Sequence, residues 1–265
     1  MIGLQLICAI LLLGSLAQSF RPHSVLLRSC RSRGCAAMHM PAEVERKQGA
    51  EYSFVRDELR PYAMKLHTRD QAPKEGQQKA QTPFTKWDPS RLNYLQFLVD
   101  SLRVYETLEG MVQEHDSLAS LRSHGMERAA ALRADIAWML KFDPTLEVPA
   151  CGQPGEQYSS FLQSTFQESA PRFLCHYYNH YFAHSAGGLR IGKRMGDTLL
   201  EGATLEFYKW AGDLPAMKED LTCRIDALAA AWSVDEKQAA CEETKNCFKY
   251  GGGLMVSIMP PRPAA

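Results

Sequence analysis

Apolar residues in this chain recur three and four positions apart, and nowhere do they alternate with polar ones over the length of a strand. The longest such stripe is Leu92, Leu95, Leu98, Val99, Leu102, Tyr105, Leu108 and Val112. It predicts a helix over about 89–114, with Asp88 as its cap and Pro89 in its first turn. The same period predicts helices over 63–72, 125–142, 158–168, 171–200, 213–232 and 234–249. Pro144, Pro149, Gly152, Pro154 and Gly155 mark 143–156 as a loop, and Gly251-Gly252-Gly253 marks the end of the last helix. Residues 73–87, polar and holding Pro73, Gly76 and Pro83, read as a linker. No segment repeats. With 45% apolar residues in 265, the expectation is one all-α domain around one core.

The helix over 171–200 contains His176-Tyr177-Tyr178-Asn179-His180-Tyr181-Phe182-Ala183-His184-Ser185-Ala186-Gly187-Gly188. Each glycine in a helix interior costs roughly 1 kcal/mol relative to alanine, so something must offset this pair. Ala183, Ala186 and Gly187 share one face that is almost bare of side chain. Such a face permits close packing of another helix, or close approach of backbone to a flat ligand. The segment by itself leaves both open. A third reading comes from His176, His180 and His184, which recur every four residues and form a ladder. Helical bundles build metal sites from such spacings, usually with carboxylates from facing helices, but no Glu-x-x-His accompanies this one. His184 stands one residue beyond Ala183, about 100° around the helix, and should flank the bare face.

The predicted helix Ala63-Met64-Lys65-Leu66-His67-Thr68-Arg69-Asp70-Gln71-Ala72 carries one histidine near its middle. A single imidazole can ligate haem iron, while a helix without side chains covers the opposite face. Taken together the two segments resemble heme oxygenase of the plastid type. Matching stretches are Tyr94-Leu95-Gln96-Phe97-Leu98-Val99-Asp100-Ser101, Leu205-Glu206-Phe207-Tyr208-Lys209-Trp210, and Glu242-Glu243-Thr244 through Phe248-Lys249-Tyr250, so the resemblance covers roughly 51–258.

The resemblance implies a single multi-helix domain with haem sandwiched between a proximal helix and a bent distal helix. It implies His67 as the iron ligand, and Ala183, Gly187 and Gly188 as the cover that leaves one iron position open to dioxygen. Arg60, Lys209 and Tyr178 match contacts to the haem propionates, although Pro61 is a local departure that should kink the segment holding Arg60. His184 stands where mammalian and many bacterial members have an aspartate that organises water; the plastid type has histidine there, which puts that proton-delivery role in doubt. Haem would be substrate and cofactor at once, with dioxygen as co-substrate and electrons from reduced ferredoxin. The products would be biliverdin, carbon monoxide and ferrous iron, with a bilin reductase downstream. Ferredoxin is acidic, and the candidate docking cations are Arg190, Lys193 and Arg194, then Lys65 and Arg69. A monomer is expected. The alternative is a non-catalytic haem- or porphyrin-binding or regulatory relative; such proteins lack the proximal histidine, whereas this chain has His67 and Gly187-Gly188.

Charge and leader fit this picture. Net charge is zero, but four arginines (21, 28, 31, 33) and no acids precede Glu43, leaving 26 basic and 30 acidic residues in the body. A mildly acidic body argues against nucleic acid as partner. Residues Ile2 to Ala17 form an uncharged apolar run, short for a membrane span and followed by small residues, as in a signal peptide; a membrane anchor is the other reading. The Arg- and Ser-rich segment opening at Phe20 has transit-peptide composition. This resembles the bipartite leader of algae with secondary plastids, and implies the plastid stroma. The expected division is 1–19 signal peptide, 20–50 transit segment and linker, 51–258 domain, 259–265 flexible tail, with no membrane contact in the mature form. Cys151, Cys175, Cys223, Cys241 and Cys247 lie beyond the leader, without a C-x-x-C pair. Neither a zinc site nor a disulfide framework is expected, and Cys175 reads as a small buried apolar residue.

Overall fold

The computed structural model describes residues 52–67 and 87–259. Among these the secondary structure is entirely helical. A π-helical turn, Val55–Leu59, leads into α1 (Arg60–Lys65). Pro61 lacks the N–H that an α-helix would use at that point, and the Arg60 N–H reaches back to the Val55 carbonyl across the wider turn. The proline is thus accommodated within a continuous helical path. After α1 follow α2 (Arg91–Glu114), α3 (Ala129–Phe142), α4 (Gln153–Glu168), α5 (Ala170–Ala183), a π-helical turn His184–Gly188, α6 (Leu189–Leu199), α7 (Leu214–Ala229) and α8 (Val234–Leu254).

Several helix starts differ from the sequence expectation. α2 begins two residues late because Ser90, not Asp88, forms a reciprocal capping box with Asn93. α4 begins five residues early: Pro154 and Gly155 belong to its first turn, where a proline loses no helical bond. Ala129, not Gly125, opens α3; Gly125 has φ +82 in the turn before it. Ser169 caps α5, Asp213 caps α7, and Ser233 forms a capping box with Glu236 at α8. The glycine triplet does not end α8, which runs through Gly251 and Gly252, both buried, to Leu254. Trp87 is no linker residue: it is 1% exposed, and its carbonyl accepts a bond from Arg194 at 3.0 Å. Residues 73–86 lie outside the described residues. Met259, expected in the tail, still bonds through its N–H to the Met255 carbonyl at 3.1 Å.

The core is an aromatic-rich cluster in which α5 is the central element. Most of its side chains, from Phe173 to Phe182, are buried, and its most extensive contact is with α8. α2 packs against α3 and α4, and α4 closes against α5. The N-terminal segment is tied to α7 by Asp226, whose carboxylate accepts from Ser53 Oγ (2.5 Å) and the Val55 N–H (2.9 Å), and by an Arg56–Glu219 ion pair. These bonds hold the π turn that leads into α1 against α7, and α1 itself packs on α8. No helix among the described residues is long and apolar enough to cross a membrane.

Candidate functional site

His67 is not in mid-helix. Hydrogen bonding tightens to i−3 at Leu66 and His67, whose N–H groups bond the Ala63 and Met64 carbonyls at 3.0 and 3.2 Å, so the imidazole follows the last turn of α1. Thr68 to Ala72 lie outside the described residues. The His67 ring is fully buried and meets Phe248 of α8 edge-on, centroids 5.4 Å apart. A fixed aromatic neighbour and a short helix end define the ring's direction.

Two cations gather on the α1, α5 and α7 side. Arg60 stands electrostatically close to Tyr178, and to Lys218 of α7. The Lys218 ammonium lies over the Phe182 ring, 5.2 Å from its centroid. Burial, and then the Arg60 charge, hold this amine below its usual range. Burial pushes the Tyr178 phenol up, and Arg60 opposes that shift. Neither Arg60 nor Lys218 has an ion-pair partner among the described residues, so together they fit a ligand with two negative charges. Lys218 was not legible in the sequence, because it lies outside any shared motif and only the packing of α7 against the N-terminal segment brings it near Arg60. Lys209, the sequence candidate, is engaged by a residue of its own turn. Its ammonium pairs with Glu206 at 2.7 Å, and its carbonyl accepts from Arg128 on the far side of the 206–210 turn.

The small-residue face is present and buried: Ala183 is 3% and Ala186 9% exposed, and Gly187 and Gly188 are buried with them. The π-helical turn falls on His184–Gly188, inserting an i→i+5 register where the glycines lie. This changes the angular step, and His184 does not simply flank the bare face. With His180, Gly188 and Tyr105 it lines a cavity of about 30 Å³, closed from the α8 end by Gly251 and Leu254 and large enough for a molecule or two the size of water. Ala183 and Gly187 are not part of that lining. Two further glycines serve packing instead: a Cβ on Gly192 would meet the Tyr208 ring at 2.6 Å, and one on Gly196 the Ala203 carbonyl oxygen at 2.5 Å.

His184 is committed to structure. Its Nε2–H donates to the Phe207 carbonyl at 2.7 Å, and its ring stacks on Phe207 at 3.8 Å. The acceptor is fixed by Asp135, which takes the N–H groups of Glu206 and Phe207 at 2.8 and 2.7 Å. Burial holds the His184 imidazole down to about 3, the Phe207 bond opposing, and His180 is likewise held to about 3 by burial and by His176. Both are neutral at physiological pH. No cluster of three or more metal-binding side chains occurs among the described residues, and the ladder histidines have other partners. His176 instead joins Tyr158 (Nδ1, 2.9 Å) and Glu243 (Nε2, 3.1 Å), and Arg172 completes the chain to Glu243 at 2.6 Å. Burial alone would raise the Glu243 carboxyl, but bonds from His176 and Asn246 reverse this and keep it ionised. The candidate docking cations separate as well. Lys193 is 78% exposed and pairs with Asp197 one turn on, whereas the Arg194 guanidinium is spent on the Trp87 carbonyl.

The described residues thus present, on an all-helical fold, a buried histidine, two cations without an ion-pair partner among them, and a small-residue helix interrupted by a π turn. Residues 57–255 match the family model "Heme oxygenase", and the chain belongs to the heme oxygenase family. It is 38% identical over 226 residues to heme oxygenase 1, chloroplastic, of Arabidopsis thaliana, covering 82% of this chain and 79% of the relative. Identity is 40% over 205 residues to heme oxygenase 1, chloroplastic, of Oryza sativa subsp. japonica, covering 76% and 70%. A probable inactive heme oxygenase 2, chloroplastic, of Arabidopsis thaliana is 37% identical over 175 residues, covering 65% and 58%. The heme oxygenase structure from Leptospira interrogans superposes with a TM-score of 0.51 at 22% identity, covering 64% of this chain and 85% of that one, which is a likeness of fold.

Proposed function

We propose that this chain is a catalytically active heme oxygenase that opens haem to biliverdin, releasing carbon monoxide and ferrous iron. The observation that carries the reading is His67, buried at the end of α1, on a fold that brings Arg60 and Lys218 together. Haem, when bound, supplies the iron at which dioxygen is reduced and the ring that is opened. The protein contributes position. His67 would ligate the iron through its imidazole, and its edge-on contact with Phe248 fixes the ring direction. Arg60 and Lys218, with the Tyr178 hydroxyl, would hold the two propionates at the mouth of the site. Ala183, Gly187 and Gly188 would cover the opposite haem face closely enough to crowd a bound diatomic ligand. His184 positions the 206–210 turn through the Phe207 carbonyl; neutral, and with its Nε2 proton committed, it is not the proton donor.

Chloroplastic relatives support a plastid location, and the leader composition supports the stroma. Reduced ferredoxin is the proposed electron donor, with a bilin reductase as the consumer of product. Lys193 and Arg190, both exposed, remain the docking cations. The test is single turnover: the purified protein is loaded with haemin, reduced under nitrogen with ferredoxin, and exposed to oxygen. Formation of biliverdin and carbon monoxide in equal amounts is expected. Tight haem binding without either product would assign the chain to the inactive relatives.

A further inference from the structure

Cys175 on α5 and Cys247 on α8 face each other across the most extensive helix–helix contact of the fold, with their sulfurs 3.5 Å apart and each side chain 1% exposed. The surroundings are polar for a thiol pair. Asn179 Nδ2 donates to Cys175 Sγ at 3.3 Å, and Thr244 Oγ1 lies 3.4 Å from the same sulfur. These polar contacts centre on the Cys175 sulfur and hold it facing Cys247. Cys241, earlier on α8, is the competing partner; burial, and then Cys175, push its thiol up to about 12, against a role as the attacking group.

We propose that Cys175 and Cys247 are a site of reversible oxidation, forming a disulfide with a small peroxide as oxidant. The Cys175 sulfur attacks an oxygen of hydrogen peroxide, breaking the O–O bond; its thiol proton passes to the leaving oxygen, giving a sulfenic acid and one water. The Cys247 sulfur then attacks the Cys175 sulfur, forming the S–S bond, breaking the S–O bond and releasing a second water. The two electrons that reduce the peroxide come from the two sulfurs, and a dithiol reductant reverses the step. Closing the bond brings the sulfurs from 3.5 Å to about 2.05 Å. Local opening of α5 from α8 admits the oxidant. The bond would fasten α5, which runs directly into the π turn at His184–Gly188, to α8, whose Gly251 and Leu254 line the cavity beside that turn. It spans 72 positions of sequence and should raise the unfolding midpoint by about 5 °C.

The experiment treats the folded full-length chain with hydrogen peroxide, alkylates remaining thiols after denaturation and digests with trypsin without reduction. The expected product is the peptide Phe173–Arg190 linked to Asn246–Lys249. It should vanish on addition of dithiothreitol and be missing from C247S, together with the rise in unfolding midpoint. Recovery of both peptides alkylated at Cys175 and Cys247 would overturn the proposal. So would linkage of Cys175 to the peptide Gln238–Lys245, which carries Cys241, or a linked product formed only in the denatured chain.

Discussion

At the scale of the residue, the site depends on which charged groups are compensated. Lys218 is half-buried over an aromatic face beside Arg60, while Lys209 already has Glu206. Lys218→Ala should therefore weaken haem binding about tenfold, the size expected for one charge-assisted contact at a partly exposed site, and Lys209→Ala less than twofold. Haemin titration of the two variants checks this. His184 gives a prediction of a different kind. Its folded value is about 3, well below the ordinary 6.5, so between these pH values the unfolded chain binds a proton that the folded chain does not. The stability it confers is complete above pH 6.5 and is lost as pH falls toward 3, at up to about 1.4 kcal/mol per pH unit. In the haem-free protein, His184→Gln should flatten the dependence of unfolding free energy on pH in that window. The glutamine amide can keep the bond to the Phe207 carbonyl without titrating.

At the scale of the element, the run from α5 through the π turn to α6 contains two kinds of small residue. Gly192 and Gly196 are required by the walls they touch, the Tyr208 ring and the Ala203 carbonyl. Gly196→Ala should cost about 1–3 kcal/mol of stability, measured by denaturant unfolding, and leave haem affinity within twofold. Gly187→Leu should do the reverse, permitting haem binding but suppressing biliverdin formation at least tenfold, because no leucine rotamer leaves that face open. The helical period made most of the elements legible, since an apolar stripe such as that of α2 depends on neighbours in sequence. What the sequence hid depends on neighbours in space. The end of α1 before His67, the passage of α8 through three glycines, the π register at His184 and the pairing of Arg60 with Lys218 all arise from packing. The small-residue face and the histidine were visible because their residue types are rare in such positions. Neither their exact geometry nor the second cation was.

At the scale of the whole molecule, the proposed donor, ferredoxin, is acidic and the body of this chain is mildly acidic, so their encounter would rest on local cations rather than net charge. Lys193 is exposed and Arg194 anchors Trp87, which makes Lys193 the informative position. Lys193→Glu should slow ferredoxin-driven turnover several-fold at low salt and much less at high salt, since exposed charges are screened over about 8 Å at physiological strength. Ascorbate-driven conversion should be unaffected. The central claim, that this fold presents His67 to haem iron and thereby supports ring opening, is tested most directly by the iron–histidine stretch of the ferrous haem complex in the resonance Raman spectrum. The native protein should show it, and His67→Ala should lose it together with biliverdin formation, with both restored by added imidazole. An unchanged iron–histidine signal in His67→Ala would contradict the account and move the ligand to another histidine.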